Sequence, residues 1–278
     1  MFFRKKSISQ DIVEKETKKE EFSTFGFNDI LHYIKRDTGV DLFIKKSIIE
    51  TRLKLFCKER DIYSFKKLYD EIQYKNDLRQ ELINLLTVNE TYFFREEKQL
   101  QEAIDFVESI EGSISILCAP CASGEEVYTL SMMMSEKFGT LKKFNIIGID
   151  INSEAIKKAN KGIYSSRSLH KLSDSLKNKY FLIDENMYKV KKELFPSVQF
   201  SQLNIFDNSF KNLGSFDLVF SRNMLIYFDN DFRVLAMKRF AQLLKPNGRV
   251  FLGHADIVPQ NTWLIKNGFG SNRYYSKF

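Results

Sequence analysis

The stretch that decides the fold is SISILCAPCASGEE, residues 113–126, near the middle of the chain. Its first six residues form a mostly apolar run typical of a short buried strand. The small residues that follow, up to Gly124, predict a turn, and a helix is predicted from about Glu125 to Phe138. A strand, a turn of small residues and a helix N-terminus in succession are typical of nucleotide-cofactor sites in parallel sheets.

The same alternation of strand and helix continues towards the C-terminus. Helices are predicted to begin at Ser153 and at about Asp231, and further strands are predicted at 144–149, 216–220 and 249–253. This alternation predicts a parallel, doubly wound sheet, that is, a Rossmann-like α/β fold.

Three segments of this half of the chain carry other signals. Residues 162–200 interrupt the alternation with a polar helical stretch and short apolar runs, which predict an inserted subdomain carrying a small β-hairpin. Residues 246–248, Pro-Asn-Gly, predict a turn. Residues 273–278 alternate like an edge strand.

The residues that precede the predicted α/β domain have a different sequence pattern. Apolar residues recur there at helical spacing, and no Pro interrupts them. This pattern predicts an all-helical N-terminal domain at 22–90, a linker helix at 91–112 and the α/β domain at 113–278. Residues 1–21 are polar and dense in Lys and Glu, so we expect a tail that is disordered or a frayed helix.

Composition and charge limit the classes of protein. The chain has 43 Lys and Arg against 36 Asp and Glu, and its net charge of +7 favours an anionic partner. Nucleic acid, an acidic membrane face and an acidic protein surface all fit, as does a merely solvated basic surface. The sparse cysteines and scattered histidines, three of each, argue against a disulfide framework and a metal site. With no signal-peptide pattern and no apolar run near the roughly 18 residues that span a bilayer, we expect a soluble, cytoplasmic protein.

Acidic residues follow the first two predicted strands. Glu125 and Glu126 begin the helix after the turn, and Asp150 ends the second strand, where Rossmann-type folds place an acid on ribose hydroxyls. Two carboxylates at a helix start would repel a pyrophosphate, which disfavours NAD, FAD and ATP, but they would attract an ammonium or sulfonium group. Alternatively, the glutamates only favour the helix dipole and Asp150 only starts the next helix. Taken together, the acids point to S-adenosylmethionine, which has both a ribose and a cationic amino-acid end.

Three blocks of sequence resemble the chemotaxis receptor methyltransferases, the CheR family. They are TVNETYFFRE at 87–96, SGEEVY at 123–128 and FDLVFSRNMLIYF at 216–228, and LLKPNG at 243–248 with Gly253-His254 continues the third. The resemblance covers about residues 25–278. It implies a small helical domain packed on an S-adenosylmethionine-dependent methyltransferase domain.

The resemblance also implies the substrate and the site. The substrate would be a specific glutamate on the cytoplasmic helical bundle of a chemoreceptor, and the product a glutamyl methyl ester. The implied cofactor contacts are Asn89, Thr91, Arg95, Glu125, Asp150, Asn204 and Ile205, with Arg222, Asn223 and Tyr227 lining the cleft.

Departures from the family pattern lie in two places. Ser123 and Val127 stand where the cofactor loop usually has Thr and Pro; Ser keeps the hydroxyl, so we expect cofactor binding to persist. Some members bind the C-terminal pentapeptide tether of a receptor with a Gly-rich loop of the inserted hairpin. The corresponding loop, about Ile183–Asn186, is short and has no Gly, which predicts no tether pocket.

The residues fit a single displacement by a carboxylate. Such a nucleophile is already ionised at neutral pH, so the reaction needs alignment rather than a general base. Arg95 and Arg222 are candidates to hold the incoming carboxylate because an Arg fork is permanently charged, and Tyr227 is a candidate hydrogen-bond donor. An alternative for Arg95 is a domain-linking salt bridge with Glu96 or Glu97.

A basic segment, Lys45–Arg60, is a candidate docking site. The segment has six Lys and Arg against two Glu, and Lys45, Arg52 and Glu59 fall near one helix face at steps of seven. A basic helix would suit the acidic methylation region of a receptor; the alternative is a solvated face. No aromatic-interleaved basic motif supports nucleic acid. We expect a monomer that is recruited to receptor arrays without inserting into the membrane. Rival hypotheses are a methyltransferase for a small molecule or RNA, and a cofactor-binding sensor or adaptor that is no enzyme.

Overall fold

A computed structural model describes residues 21–260, 263–270 and 273–277. All of the predicted tail except Glu21 lies outside the described residues. In the part that is described, no helix is long and apolar enough to cross a membrane.

The N-terminal part is helical, as the apolar spacing predicts. Its helices are α1 Phe27–Thr38, α2 Lys46–Lys58, α3 Phe65–Ile72 and α4 Asn76–Leu86. Their apolar faces meet in one core, in which Ile30, Leu53 and Phe65 are fully buried. Gly39 ends α1 in the left-handed conformation, and the Ser64 hydroxyl accepts a hydrogen bond from the backbone N–H of Lys67 at the start of α3.

A fifth helix, α5 at Glu97–Glu108, lies within the predicted linker. It packs on the sheet of the next domain, since Leu100, Ile104 and Val107 share a core with strand residues such as Ile116. The linker helix is therefore part of one layer of the α/β domain.

The remaining elements alternate as predicted around one insertion. In chain order they are β1 Ile114–Cys118, α6 Glu125–Phe138, β2 Phe144–Asp150, α7 Ser153–Lys161, β3 Ile163–Ser165, α8 Asp174–Tyr180, β4 Phe181–Asp184, β5 Met187–Val190, β6 Val198–Gln202, β7 Phe216–Ser221, α9 Asn230–Leu243, β8 Leu244–Leu252, β9 Leu264–Asn267 and β10 Tyr274–Lys277. The main sheet has the order β6-β2-β1-β7-β8-β10-β9. Its first five strands pair in parallel, and β10 and β9 pair antiparallel. Helices α5 and α6 cover one face of the sheet and α9 covers the other, so the sheet is doubly wound.

Three details of the prediction are wrong. The strand predicted at 273–278 is not at the sheet edge where it is described, because Tyr275 of β10 pairs with Val250 on one side and Lys266 on the other; residue 278 lies outside the described residues. The predicted turn at 246–248 lies inside β8, where the pairing with β7 shifts register. The end of the predicted insertion belongs to the main sheet, because β6 pairs with β2.

The inserted subdomain forms its own three-stranded antiparallel sheet, in the order β3-β5-β4. A two-residue turn joins β4 to β5, and Glu185 in that turn has a positive φ of 48°. Phe93 packs edge-to-face on Tyr164 and Phe181 of this sheet. The segment that links the two domains therefore also anchors the insertion.

Candidate active site

Four residues with strained backbone surround the carboxyl end of the parallel strands. Ala122 follows β1 with φ 46°, and Asn223 follows β7 with φ 59°. Phe94 and Glu96, with φ 58° and 53°, lie in the segment before α5. Residues with a side chain adopt positive φ at a cost in free energy, and such positions concentrate at functional sites. These four positions mark the cleft that the sequence blocks predict.

Asp150 joins the turns after β1 and β2. One carboxylate oxygen accepts a hydrogen bond from the backbone N–H of Ala122 at 2.9 Å, and the other accepts from that of Asn152 at 2.8 Å. Burial raises the pKa of Asp150, and these backbone donors oppose the shift. The acid predicted to face a ribose thus also fixes the shape of both turns.

Glu125 has an oxygen that the described residues leave unsatisfied. Its Oε2 accepts a hydrogen bond from the Ser123 hydroxyl at 2.7 Å, so the Ser that replaces the usual Thr keeps this contact. Its Oε1 is buried and accepts no hydrogen bond of ordinary geometry from the described residues; Lys158 Nζ lies 4.0 Å away, and Lys158 and the Ser168 hydroxyl both favour the ionised carboxylate. Burial raises the pKa of the carboxyl. An unpaired buried acceptor is costly, so this oxygen suits a cationic ligand such as an ammonium group.

Glu126 and Arg222 form a buried ion pair beneath the cleft. Arg222 Nε lies 2.9 Å from Glu126 Oε2, and Arg222 Nη2 donates to the backbone carbonyl of Arg95 at 2.6 Å. Burial raises the pKa of Glu126, and the charge of Arg222 opposes this. The side chain of Arg222 is only 3% exposed; Nη2 is bonded to the Arg95 backbone and Nε lies beside Glu126, while Nη1 has no hydrogen-bond partner among the described residues.

Arg95 is less buried than Arg222. Its side chain is half-buried, Nη1 donates to the carbonyl of Glu90 at 2.8 Å, and the guanidinium lies 5.9 Å from the Tyr92 ring centroid. Within the described residues it forms no salt bridge with Glu96 or Glu97, so the alternative structural role is not supported. Burial raises the pKa of Tyr227, and the nearby charge of Arg95 opposes this shift. The charge of Arg95 thus acts on the Tyr227 hydroxyl.

The other predicted cofactor-binding residues lie between the two domains, in the core, or in the segment between α4 and α5. Asn204 Nδ2 donates to the carbonyl of Asp37 at 2.7 Å and its Oδ1 accepts from the N–H of Phe206, so its side chain joins the two domains. Ile205 packs in the core against α9. Asn89 and Thr91 are half-buried in the segment between α4 and α5, and neither side chain hydrogen-bonds to another described residue.

Asp256 is a site residue that the sequence analysis missed. Its Oδ2 accepts hydrogen bonds from the N–H of Asn223 at 2.7 Å and of Gly253 at 2.8 Å, so it ties together the turns after β7 and β8. A Cβ at Gly253 would lie 2.7 Å from the Asn223 nitrogen, which explains the Gly. The available signal was an acid close behind a predicted strand end.

The geometry defines a class of protein. Carboxylates at the ends of β1 and β2, with one buried acceptor left free, fit the ribose and the cationic amino-acid end of S-adenosylmethionine and not a pyrophosphate. Among the described residues, no cluster of His, Cys, Asp or Glu could hold a metal ion. The fold and the site are those of a Rossmann-like methyltransferase.

Comparison with known proteins gives the family. Residues 26–87 match the model of the "CheR methyltransferase, all-alpha domain" and residues 89–272 that of the "CheR methyltransferase, SAM binding domain". A "Chemotaxis protein methyltransferase" of Campylobacter jejuni is 37% identical over 92% of this chain and 97% of the relative. A "Chemotaxis protein methyltransferase 2" of Vibrio cholerae is 36% identical over 83% of this chain and 85% of the relative. The chain belongs to the CheR methyltransferase family and uses S-adenosylmethionine for methylation in chemotaxis.

Proposed function

We propose that this protein methylates specific glutamate side chains in the cytoplasmic helical bundle of chemoreceptors and leaves glutamyl methyl esters. The observation that carries the proposal is the half-buried guanidinium of Arg95, of which only Nη1 has a hydrogen-bond partner, the Glu90 carbonyl, among the described residues. A forked, permanently charged donor suits a carboxylate substrate. The relatives' names, which place methylation in chemotaxis, point to a receptor as the source of that carboxylate.

The chemistry needs little from the protein beyond alignment. Bound S-adenosylmethionine supplies an electrophilic methyl group, and the substrate carboxylate replaces the sulfur leaving group on it. Arg95 holds the carboxylate, Tyr227 donates a hydrogen bond to it, and Arg222 fixes Arg95 from below through the Arg95 carbonyl. No proton has to move, because glutamate is ionised at neutral pH. Orientation of the reactants is therefore the main source of rate enhancement.

Cofactor contacts are part of the proposal. The Asp150 carboxylate lies where an acid meets ribose hydroxyls, and Glu125 Oε1 is free for the ammonium end. Asn89 and Thr91 would add polar groups that have no hydrogen-bond partner among the described residues, and Asn223, next to Arg222 in the chain, would add another. Asn204 and Ile205 would contribute backbone groups, because the side chain of Asn204 is committed to Asp37 and that of Ile205 to the core.

Helix α2 supports receptor docking by this protein. Ile48 and Leu55 of α2, two helical turns apart, are 54% and 58% exposed, so an apolar stripe on one side of the segment Lys45–Arg60 is uncovered. Four of its cations, Lys45, Lys46, Arg52 and Lys58, form no ion pair within the described residues; Lys54 is paired with Glu50, and Arg60 with Glu59 and Glu81. This apolar stripe with unpaired cations beside it favours docking on an acidic helical bundle over the alternative that the helix face is only solvated.

A methyl-transfer assay tests the proposal. The protein is incubated with methyl-labelled cofactor and a receptor cytoplasmic fragment, and the label is then exposed to mild base. We expect label on the receptor fragment that mild base releases as methanol, as a glutamyl ester requires. A fragment whose candidate glutamates are replaced by alanine is the matched control. Base-stable label, or label on bulk RNA instead of the receptor, would contradict the proposal, and cofactor binding without transfer to any substrate would favour a sensor.

The proposed setting is the cytoplasm, with the protein recruited to receptor arrays as a monomer. The turn between β4 and β5 consists of Glu185 and Asn186 only, so it offers no loop to enclose a receptor's C-terminal pentapeptide. We therefore propose that recruitment uses α2 and the methylation region itself rather than a tether.

A further inference from the structure

Helix α4 of the helical domain is hydrogen-bonded to the turn that follows β2. Asn84 Oδ1 accepts from the backbone N–H of Ser153 at 2.9 Å and from Gln80 Nε2 at 2.8 Å. Asn84 Nδ2 donates to the Ser153 hydroxyl at 2.9 Å. Gln80 Nε2 also donates to the carbonyl of Ile151 at 3.0 Å. Two side chains of one domain thus hold a short turn of the other.

Asn152 of this turn also donates hydrogen bonds to the end of α4. Asn152 Nδ2 donates to the carbonyl of Asn84 at 3.1 Å and to the Thr87 hydroxyl at 2.8 Å, and the side chain is almost fully buried. Its Oδ1 accepts from the N–H of Ala155 and so caps α7. Ile151 packs against the core of the helical domain. Each residue from Ile151 to Ser153 is therefore fixed by the segment that ends α4.

This turn sets the orientation of the cofactor-binding acid. The Asp150 carboxylate accepts the N–H of Asn152, and its other oxygen holds the turn after β1 through Ala122. A displacement of Asn152 would rotate the carboxylate or leave one of its oxygens without a partner. The position of Asp150 therefore depends on Asn84, a residue of a different domain.

We propose that Asn84 is a positioning residue for the cofactor, through which the helical domain holds the Asp150 turn in its binding conformation. The role differs from general attachment of the two domains. Lys35 Nζ lies 2.8 Å from Asp41 and 2.7 Å from Asp229, and this ion pair joins the domains without touching the Asp150 turn. Loss of the Asn84 side chain leaves that attachment in place and removes the two hydrogen bonds to Ser153, while Gln80 still holds Ile151 and Thr87 still holds Asn152.

Calorimetry of S-adenosylhomocysteine binding by the full chain tests the proposal. We expect Asn84→Ala to raise the Kd about tenfold, a loss of about 1.4 kcal/mol of binding free energy, because the turn next to Asp150 loses the hydrogen bonds of the Asn84 side chain. Asn84→Asp should restore most of the affinity, since its carboxylate still accepts from the Ser153 N–H and can accept from the Ser153 hydroxyl. Asp77→Ala, an exposed position on the same helix, should bind like the parent. In turnover assays Asn84→Ala should raise the KM for S-adenosylmethionine and leave the KM for the receptor fragment unchanged.

Two outcomes would overturn the proposal. One is parental affinity in Asn84→Ala together with a lowered Tm, which would make Asn84 structural only. The other is an Asn84→Asp variant that binds no better than Asn84→Ala. If Asn84→Ala does not fold, Asn84→Leu removes the same side-chain hydrogen bonds while filling the space, and the same first outcome, parental affinity, is then sought in that variant. The binding assay contains no receptor, so its result is independent of whether the methylated group is a receptor glutamate.

Discussion

Two arginines of the cleft have similar sequence signals and different environments. Arg95 and Arg222 both lie in blocks that resemble one family, but Arg222 is paired with Glu126 and is almost fully buried, whereas Arg95 is half-buried with much of its fork free. We therefore expect Arg95→Met to lose most turnover while its free energy of unfolding stays within about 0.5 kcal/mol of the parent's. Arg222→Met should lower that free energy by about 3–5 kcal/mol, because it leaves the Glu126 carboxylate buried without its partner.

Methylation rates and urea denaturation of the two variants check this prediction, and each variant is the other's control. A turnover by Arg95→Met that equals the parent's would show that Arg95 does not hold the substrate. An unchanged stability of Arg222→Met would show that Glu126 finds another partner or becomes protonated, a route that its raised pKa makes available.

At the scale of single residues, the hydrogen-bond partners of a side chain were harder to predict from the sequence than the candidate positions. The blocks around Arg95 and Arg222 predicted the family, and the acids after β1 and β2 predicted the cofactor class. Nothing along the chain could show that Asn204 donates to Asp37, since the two residues come from different domains. The same holds for Asp256, whose contacts depend on how two strand ends align in the sheet.

At the scale of elements, Glu136 of α6 fastens the inserted subdomain to the main domain. Its Oε1 lies 2.6 Å from Lys179 Nζ and accepts a short hydrogen bond from the Tyr180 hydroxyl, both at the end of α8. These hydrogen bonds from Lys179 and Tyr180 lower the pKa of Glu136 below its ordinary value of 4.5. A lowered folded-state pKa means that the stabilisation is complete above the unfolded value and is lost as the pH falls through the folded one.

The expected result is a stability difference between the parent and Glu136→Gln that is present at pH 7 and shrinks below about pH 4.5. Thermal denaturation across this pH range measures it. The matched control is Glu154→Gln, an exposed glutamate of α7 whose ion pair with Lys157 stays within one helix. A difference that is constant with pH would show that the charge of Glu136 is not what holds the subdomain.

Secondary structure was predictable where local pattern and tertiary pairing agree. The strand, turn and helix of residues 113–138 agree, and their predicted bounds are close to those observed. The Pro-Asn-Gly sequence at 246–248 is a strong local turn signal, yet β7 and β10 pair with the strand that contains it, and the register shift absorbs the irregularity. The place of β10 inside the sheet likewise depends on β9, which a pattern within 273–278 cannot reveal.

At the scale of the whole molecule, the excess of positive charge has a local consequence on α2. Arg52 lies between the exposed apolar residues Ile48 and Leu55 and has no ion pair within the described structure. Charge-based docking mainly affects association, and the Debye length of about 10 Å at 0.1 M makes it sensitive to salt. We expect Arg52→Glu to raise the KM for a receptor fragment several-fold with little change in kcat. Salt should raise the KM of the parent in the same way and add little in the variant.

Two further experiments test this prediction, one on the apolar stripe of α2 and one on the receptor's C-terminal peptide. Ile48→Ser should raise the same KM with no change in its salt dependence, because the contact it removes is not electrostatic. Lys211→Glu is the matched control: it makes the same change in net charge at an exposed turn before β7 and should leave the KM unchanged. Deletion of the receptor's C-terminal peptide should also have almost no effect, since the two-residue turn between β4 and β5 cannot enclose it. Tight calorimetric binding of the isolated pentapeptide would show instead that the inserted sheet recruits the receptor, and α2 would then lose its proposed role.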